Sequence, residues 1–150
     1  MLATHQIDTQ IIDLQGLPKD FIFSALYGNA GKNDGFNVYR DQVAQGEKFV
    51  FVVPEYNGSF PGVLKAFIDG LEYPSKLADK KVALVGLSSG MQGSALALSH
   101  LTDILSYLGA NLLGMRVKLP QVEKNLKDGK ITNDLYNQLL REQVEKLIAF

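Results

Sequence analysis

Hydrophobic residues along this chain fall into runs of two different spacings, and the alternation between them predicts the architecture. Ile7 to Leu14 alternates weakly before turning apolar, and it reads as a strand ended by Gly16 and Pro18. Phe21 to Tyr27 is apolar but short, and the turn formers from Gly28 to Gly35 predict an irregular loop with one helical turn. Phe36, Val38, Tyr39 and Val43 recur at helical spacing, giving a short amphipathic helix closed by Gly46. Phe49 to Val53 is a continuous run of β-branched and aromatic residues, the pattern of a strand buried on both faces of a parallel sheet. Pro54 ends it, having no N–H to give to a ladder. Val63, Leu64, Phe67, Ile68 and Leu71 then mark one face of a helix, with Ser59 as its expected N-cap and Pro61 near its first turn.

The second half repeats the scheme. Glu72 to Lys80 is a connection that turns at Tyr73-Pro74-Ser75, and Val82 to Leu87 is a second buried strand. That strand runs into Ser88-Ser89-Gly90-Met91-Gln92-Gly93-Ser94. Ala95 to Leu108 is a helix with Leu98, Leu101, Ile104, Leu105 and Leu108 inward and Gly109 as its C-cap. Leu112 to Leu119 contains another strand, broken by Gly114 and ended by Pro120. Lys124 to Lys130 is a solvated connection. Thr132 or Asn133 caps a last helix whose apolar stripe is Leu135, Leu139, Val144, Leu147 and Ile148. Alternation of strand and helix predicts a three-layer α/β domain with a mostly parallel sheet. No linker or repeat divides it, so residues 1–150 read as one domain.

Composition narrows what such a domain does. With 46% hydrophobic and 21% charged residues the chain has ordinary globular content. A net charge of −1 makes no electrostatic case for nucleic acid or an anionic membrane as partner. It is also less acidic than an electron carrier that docks on basic proteins would be. The absence of cysteine excludes disulfides, thiol catalysis and cysteine metal sites. No apolar run approaches the roughly 20 residues of a membrane span, and the first ten residues lack the features of a signal peptide. A soluble cytoplasmic protein is the default expectation.

Candidate chemistry concentrates in two strand-to-helix loops, Pro54 to Ser59 and Ser88 to Ser94, at the carboxyl ends of the strands, where open α/β sheets bind ligands. Asn57 offers donor and acceptor, Tyr56 an aromatic face with a hydroxyl, and Gly90 and Gly93 allow close backbone approach. These types suit a flat aromatic ligand with polar edges. Acid–base machinery is weak by comparison: His5 and His100 read as surface or structural residues, and two separated histidines make no metal site. Gly86-Leu87-Ser88-Ser89-Gly90 departs by one position from a nucleophile elbow. Gly28, Gly31 and Gly35 fit neither phosphate-loop spacing. Shape and hydrogen bonds without an acid–base pair point to a bound cofactor that carries the chemistry.

Pro54-Glu55-Tyr56-Asn57-Gly58-Ser59, followed by Pro61-Gly62-Val63-Leu64-Lys65, resembles the hallmark of the NAD(P)H-dependent FMN reductases. Gly86-Leu87-Ser88-Ser89-Gly90-Met91-Gln92-Gly93 is similar to that family's second glycine-rich loop. The resemblance runs from Ile7 to Leu119 and implies a flavodoxin-like three-layer sandwich that binds FMN non-covalently as a homodimer or tetramer. It further implies hydride transfer from NADPH or NADH to FMN, and on to a small-molecule acceptor such as free flavin, a quinone, an azo compound or a metal oxyanion. Carried onto this chain, it places Pro54, Glu55, Tyr56 and Asn57 around the isoalloxazine ring. Ser88, Ser89 and Gly90 fall near the pyrimidine edge, with Gly93 close by. Hydride passes between cofactor rings, so no side chain is expected to be catalytic and no metal is expected.

The chain departs from the family pattern in one respect. The family opens with a strand and a Gly-Ser-x-Arg-x-x-Ser loop that holds the FMN phosphate at a helix N-terminus, and no stretch here matches it. On this reading the first strand and helix are absent, the domain is N-terminally incomplete, and Ile7 to Leu14 is the family's second strand. FMN is then expected to bind more weakly than to a full-length relative. The alternatives are a flavodoxin-type electron-transfer module and a truncated form that no longer holds flavin tightly.

Overall fold

The computed structural model describes residues 1–150. Its centre is a sheet of three parallel strands in the order β1-β2-β3, formed by β1 (Lys48–Pro54), β2 (Lys81–Leu87) and β3 (Asn111–Leu119). Helices α1 (Phe21–Ser24), α2 (Asp34–Gln45), α3 (Gly62–Asp69) and α4 (Ala95–Tyr107) supply the core on one face, and α5 (Asp134–Ala149) covers the other. Parallel neighbours need a crossover, and α3 and α4 are those crossovers. The mixed α/β sandwich with a parallel sheet therefore stands as expected.

β2 is central, and its side chains alternate between the two layers. Val82 and Leu84 join the larger core with Phe36, Phe67, Leu98, Leu101 and Leu105, while Val85 packs with Val117 and Leu119 beneath α5. Phe36 is fully buried, stacked on Phe21 at 5.5 Å and met edge-on by Phe67 at 5.9 Å. This aromatic trio anchors α1 and α2, whose short apolar stripes bury little else. Helix α4 ends in a Schellman motif: Gly109 takes φ 81°, its N–H donates to Ser106 O, and the N–H of Ala110 donates to Leu105 O.

The structure differs from sequence expectation in four places. First, Ile7 to Leu14 forms no strand. Backbone N–H groups from Ile7 to Asp13 donate to nothing in the protein, Ile11 is 90% exposed, and Leu14–Gly16 is a 3-10 turn. β-Propensity is realised only against a paired neighbour, and this segment has none. Second, β1 is an edge strand whose faces are unequal: Val53 is fully buried, whereas Val52 is 61% exposed because α5 packs over β2 and β3. Third, Lys124 to Lys130 is structured, closing with Ile131 into a small hairpin of β4 (Leu126–Lys127) and β5 (Lys130–Ile131). Asp128 and Gly129 form its left-handed turn. Fourth, the inward stripe of α5 is rotated from the expected one. Leu135 and Ile148 are exposed, and the buried positions are Gln143 and Leu147.

Gln143 explains how β3 pairs. Val82 lies opposite Leu112 but Leu84 lies opposite Arg116, so a bulge near Gly114 inserts two extra residues into β3. Gln143 is 2% exposed, and its Nε2 donates to Leu84 O and Met115 O, both at 2.9 Å. One side-chain amide thus satisfies two carbonyls beside the irregularity. Asn133 caps the same helix by accepting from the N–H of Tyr136. Gln143→Leu fills similar volume but strands both carbonyls, and it should lower stability by about 1–3 kcal/mol. The measurement is a fall in the urea midpoint at unchanged slope; an unmoved midpoint would show that water serves the two carbonyls equally well.

Candidate flavin site at the carboxyl edge of the sheet

The strand register brings three loops level. Pro54 lies opposite Leu87, and Leu87 lies opposite Leu119. Beyond them the ladder continues, with Glu55 N–H donating to Leu87 O at 3.1 Å and Ser88 N–H to Leu119 O at 3.2 Å. The third loop, from Pro120 to Asn125, closes over the second through Gln121 N–H to Gly90 O and Val122 N–H to Ser88 O. The candidate edge is thus built from three segments, of which sequence reasoning named two.

The first loop is a tight hairpin. Tyr56 N–H donates to Ser59 O at 2.7 Å and Ser59 N–H to Tyr56 O at 3.0 Å. Asn57 and Gly58 between them take φ 51° and 75°. An Asn-Gly pair is the preferred chemistry for a two-residue turn with both central residues left-handed. Tyr56 is left 62% exposed. Glu55 turns the other way, its Oε2 accepting from the N–H of Ser94 at 3.2 Å at the start of α4, where a carboxylate suits the helix dipole. Ser59 is not the cap of α3. Pro61 occupies that position without a side-chain bond, and Ser59 Oγ instead meets His100 Nδ1 at 2.9 Å.

In the second loop the side chains of Ser88 and Ser89 are consumed internally, whereas Ser94 Oγ is buried without a partner. Ser88 is buried, donating to Gly90 O at 3.1 Å and accepting from Gly93 N–H at 3.0 Å. Ser89 Oγ donates to Glu123 Oε1 at 2.8 Å. The backbone N–H groups of Ser89, Gly90, Met91 and Gln92 donate to no protein acceptor, and the Met91 side chain is exposed beside them. The two glycines differ in kind. A Cβ on Gly90 would meet nothing within 4 Å. Gly93 has φ 58°, and its Cβ would lie 2.9 Å from Lys118 Cβ and 3.0 Å from Leu119 N. Gly90 is open to whatever approaches the loop, whereas Gly93 is a packing glycine against β3.

All eight residues singled out from sequence lie on this edge, and Glu55–Ser94 joins the two loops that carry them. Gln121 and Glu123 were not anticipated; from sequence, Ser94 is only the end of the second loop and His100 reads as a surface or structural residue. Each enters through a contact between distant segments, and only the strand stop at Pro120 hinted at the third loop. The Gly28 to Gly35 stretch is elsewhere. It borders a recess of about 700 Å³ lined by Tyr27, Ala30, Arg40, Leu71 and Tyr73, beyond the far end of α3. No helix is long and apolar enough to cross a membrane.

Comparison with known proteins agrees with this arrangement. The family model described as NADPH-dependent FMN reductase matches residues 1–124. The chain is 29% identical over 150 residues to a 2-hydroxy-1,4-benzoquinone reductase of Burkholderia sp, covering 98% of this chain and 76% of that protein. It is 28% identical over 150 residues to an NAD(P)H-dependent FMN reductase of Pseudomonas aeruginosa, covering 97% and 80%. The solved structure of FerB, a flavoenzyme NAD(P)H:(acceptor) oxidoreductase from Paracoccus denitrificans, shares the fold. Its TM-score is 0.77 at 24% identity, over 99% of this chain and 82% of that one. A parallel sheet with its polar loops gathered at one edge, matched by the family model over residues 1–124, places this chain in the NADPH-dependent FMN reductase family, with a flavodoxin-like fold.

Proposed function

We propose that this chain acts as one FMN-binding domain that carries reducing equivalents from NAD(P)H to a quinone-like small molecule. The observation that carries this reading is the run of unpartnered N–H groups from Ser89 to Gln92, in a loop at the same sheet edge as exposed Tyr56. A flat ring bearing carbonyl and nitrogen acceptors along one edge is the ligand such a row fits. When bound, FMN supplies the two-electron chemistry, accepting hydride from the nicotinamide and yielding it to the acceptor.

The chain's own residues bind and orient. Tyr56 and Asn57 offer the outward face of the first hairpin, and Gly90 leaves its backbone uncovered for close approach. Glu55, Ser88 and Ser89 serve the ring at one remove, since their side chains hold Ser94, Gly93 and Glu123 and so fix the loops. Pro54 ends β1 at the height where the hairpin starts. Fixed amide dipoles aimed at one ring edge also bias the electron affinity of that ring. The relatives named as quinone and FMN reductases support this acceptor class. On the same reading the protein works in the cytoplasm as a homodimer or tetramer, without nucleic-acid or membrane partners; light scattering in solution should return two or four times the chain mass of 16.5 kDa, and a monomer mass would overturn it.

Titration of FMN into the protein should quench flavin fluorescence toward one-to-one saturation, at a weaker affinity than that of a full-length relative, and NADPH mixed with the loaded protein should bleach the flavin absorbance. Binding without bleaching would leave a plain electron carrier. The two glycines then separate fold from site. Gly90→Ala should leave thermal stability unchanged and weaken FMN binding on the order of tenfold, by overfilling the approach to the ring. Gly93→Ala should do the reverse, lowering stability by roughly 1–2 kcal/mol through its left-handed φ alone. Equal effects of both changes on FMN affinity would place the ring elsewhere.

A further inference from the structure

His100 stands outside every role assigned so far. It lies on α4, exposed, and its Nδ1 is 2.9 Å from Ser59 Oγ, 41 residues away in sequence. Ser59 is the return limb of the Tyr56–Ser59 hairpin. The two bonds inside that hairpin and its left-handed pair fix its shape, but they do not fix its tilt relative to the sheet. Tilt needs an attachment on each limb. At the outgoing limb Glu55 is held twice, by its N–H to Leu87 O and by its carboxylate to Ser94 N–H. At the return limb, Ser59–His100 is the one side-chain bond that ties the hairpin to another element, because Ser59 does not cap α3. A hydroxyl can donate to or accept from an imidazole nitrogen, so the bond survives a change of tautomer.

We propose that His100 is a positioning residue for the ring-binding loop: through Ser59 it clasps the Tyr56–Ser59 hairpin to α4 and so sets the orientation in which Tyr56 meets its ligand. The clasp itself is independent of the flavin reading; its functional consequence rests on that reading. Both α4 attachments of the first loop, Ser94 and His100, lie on the helix that follows the second loop. The clasp therefore makes the two ring-contacting loops move as one body. With His100 removed, the outgoing limb keeps its two bonds and the return limb is held only from Phe60 onward, where the chain packs on the core. Tyr56 then gains a small swinging motion without any loss of core.

The test combines His100→Leu, Ser59→Ala, the double variant and His100→Asn, which returns a side-chain amide near the position of Nδ1. In the protein without added FMN, hydrogen exchange at the Tyr56 and Ser59 amides should accelerate about three- to tenfold in each single variant. The double variant should add nothing further, and His100→Asn should restore protection. Urea midpoints should stay at the wild-type value throughout, since both residues lie outside the core. FMN titration should follow the same order, with about three- to tenfold weaker binding in the two single variants and recovery in His100→Asn. Unchanged amide exchange in His100→Leu would overturn the clasp. Accelerated exchange with unaltered FMN affinity would overturn its positioning role. If the unmodified protein takes up no FMN, the flavin reading and the positioning role built on it both fall, while the exchange experiment still decides the clasp.

Discussion

The site depends on the alignment of three strand ends. Pro54, Leu87 and Leu119 stand side by side only because β3 carries its bulge. If the pairing of Val82 with Leu112 continued without interruption, Leu87 would face Val117. The third loop would then leave the sheet two residues late, displaced by roughly 6–7 Å along the strand. A shift of two residues keeps every side chain on its own face, so the core does not register the difference and only the edge does. Gln143, buried in α5, supplies the donors that make the irregular pairing tolerable. A side chain on the covering helix thereby helps determine where the loops begin.

Polar side chains at that edge are spent largely on one another. Ser88 braces the second loop, Ser89 ties it to Glu123, Glu55 ties the first loop to α4, and Ser59 meets His100. This inward use of polarity leaves unpaired backbone N–H groups, an open glycine and the exposed side chains of Tyr56 and Met91. Such a surface suits a reaction in which the protein orients two rings and excludes competing geometry rather than moving protons itself.

Much of this was legible in the chain. The strands Lys48–Pro54 and Lys81–Leu87, the four longer helices and the Asn-Gly turn follow from local rules: hydrophobic period, proline stops, and the ease with which Asn and Gly take positive φ. The two candidate loops were visible because they interrupt strong strand signals with an uncommon polar composition. Local rules also misled. Ile11 and Ile12 have every propensity for a strand, yet pairing is a property of two segments, and no strand hydrogen-bonds to them, although Ile12 packs on the core. Val52 looks like a core residue and is exposed because burial is decided by which strand the covering helix overlies. Ser59 sits two residues before the first proline of a helix and still serves another element.

Sequence by itself therefore determined the strand-helix alternation from Lys48 onward, the strand stops at the prolines and the residue types available at the carboxyl edge, because each arises from contacts within a few residues. Tertiary structure alone decided the register of β3, the exposed face of β1, and which polar groups are free and which are consumed. Those outcomes turn on pairs such as Gln143 with Leu84, Glu55 with Ser94 and Ser59 with His100. Their members lie 59, 39 and 41 residues apart, and no local pattern encodes a hydrogen bond across such a distance.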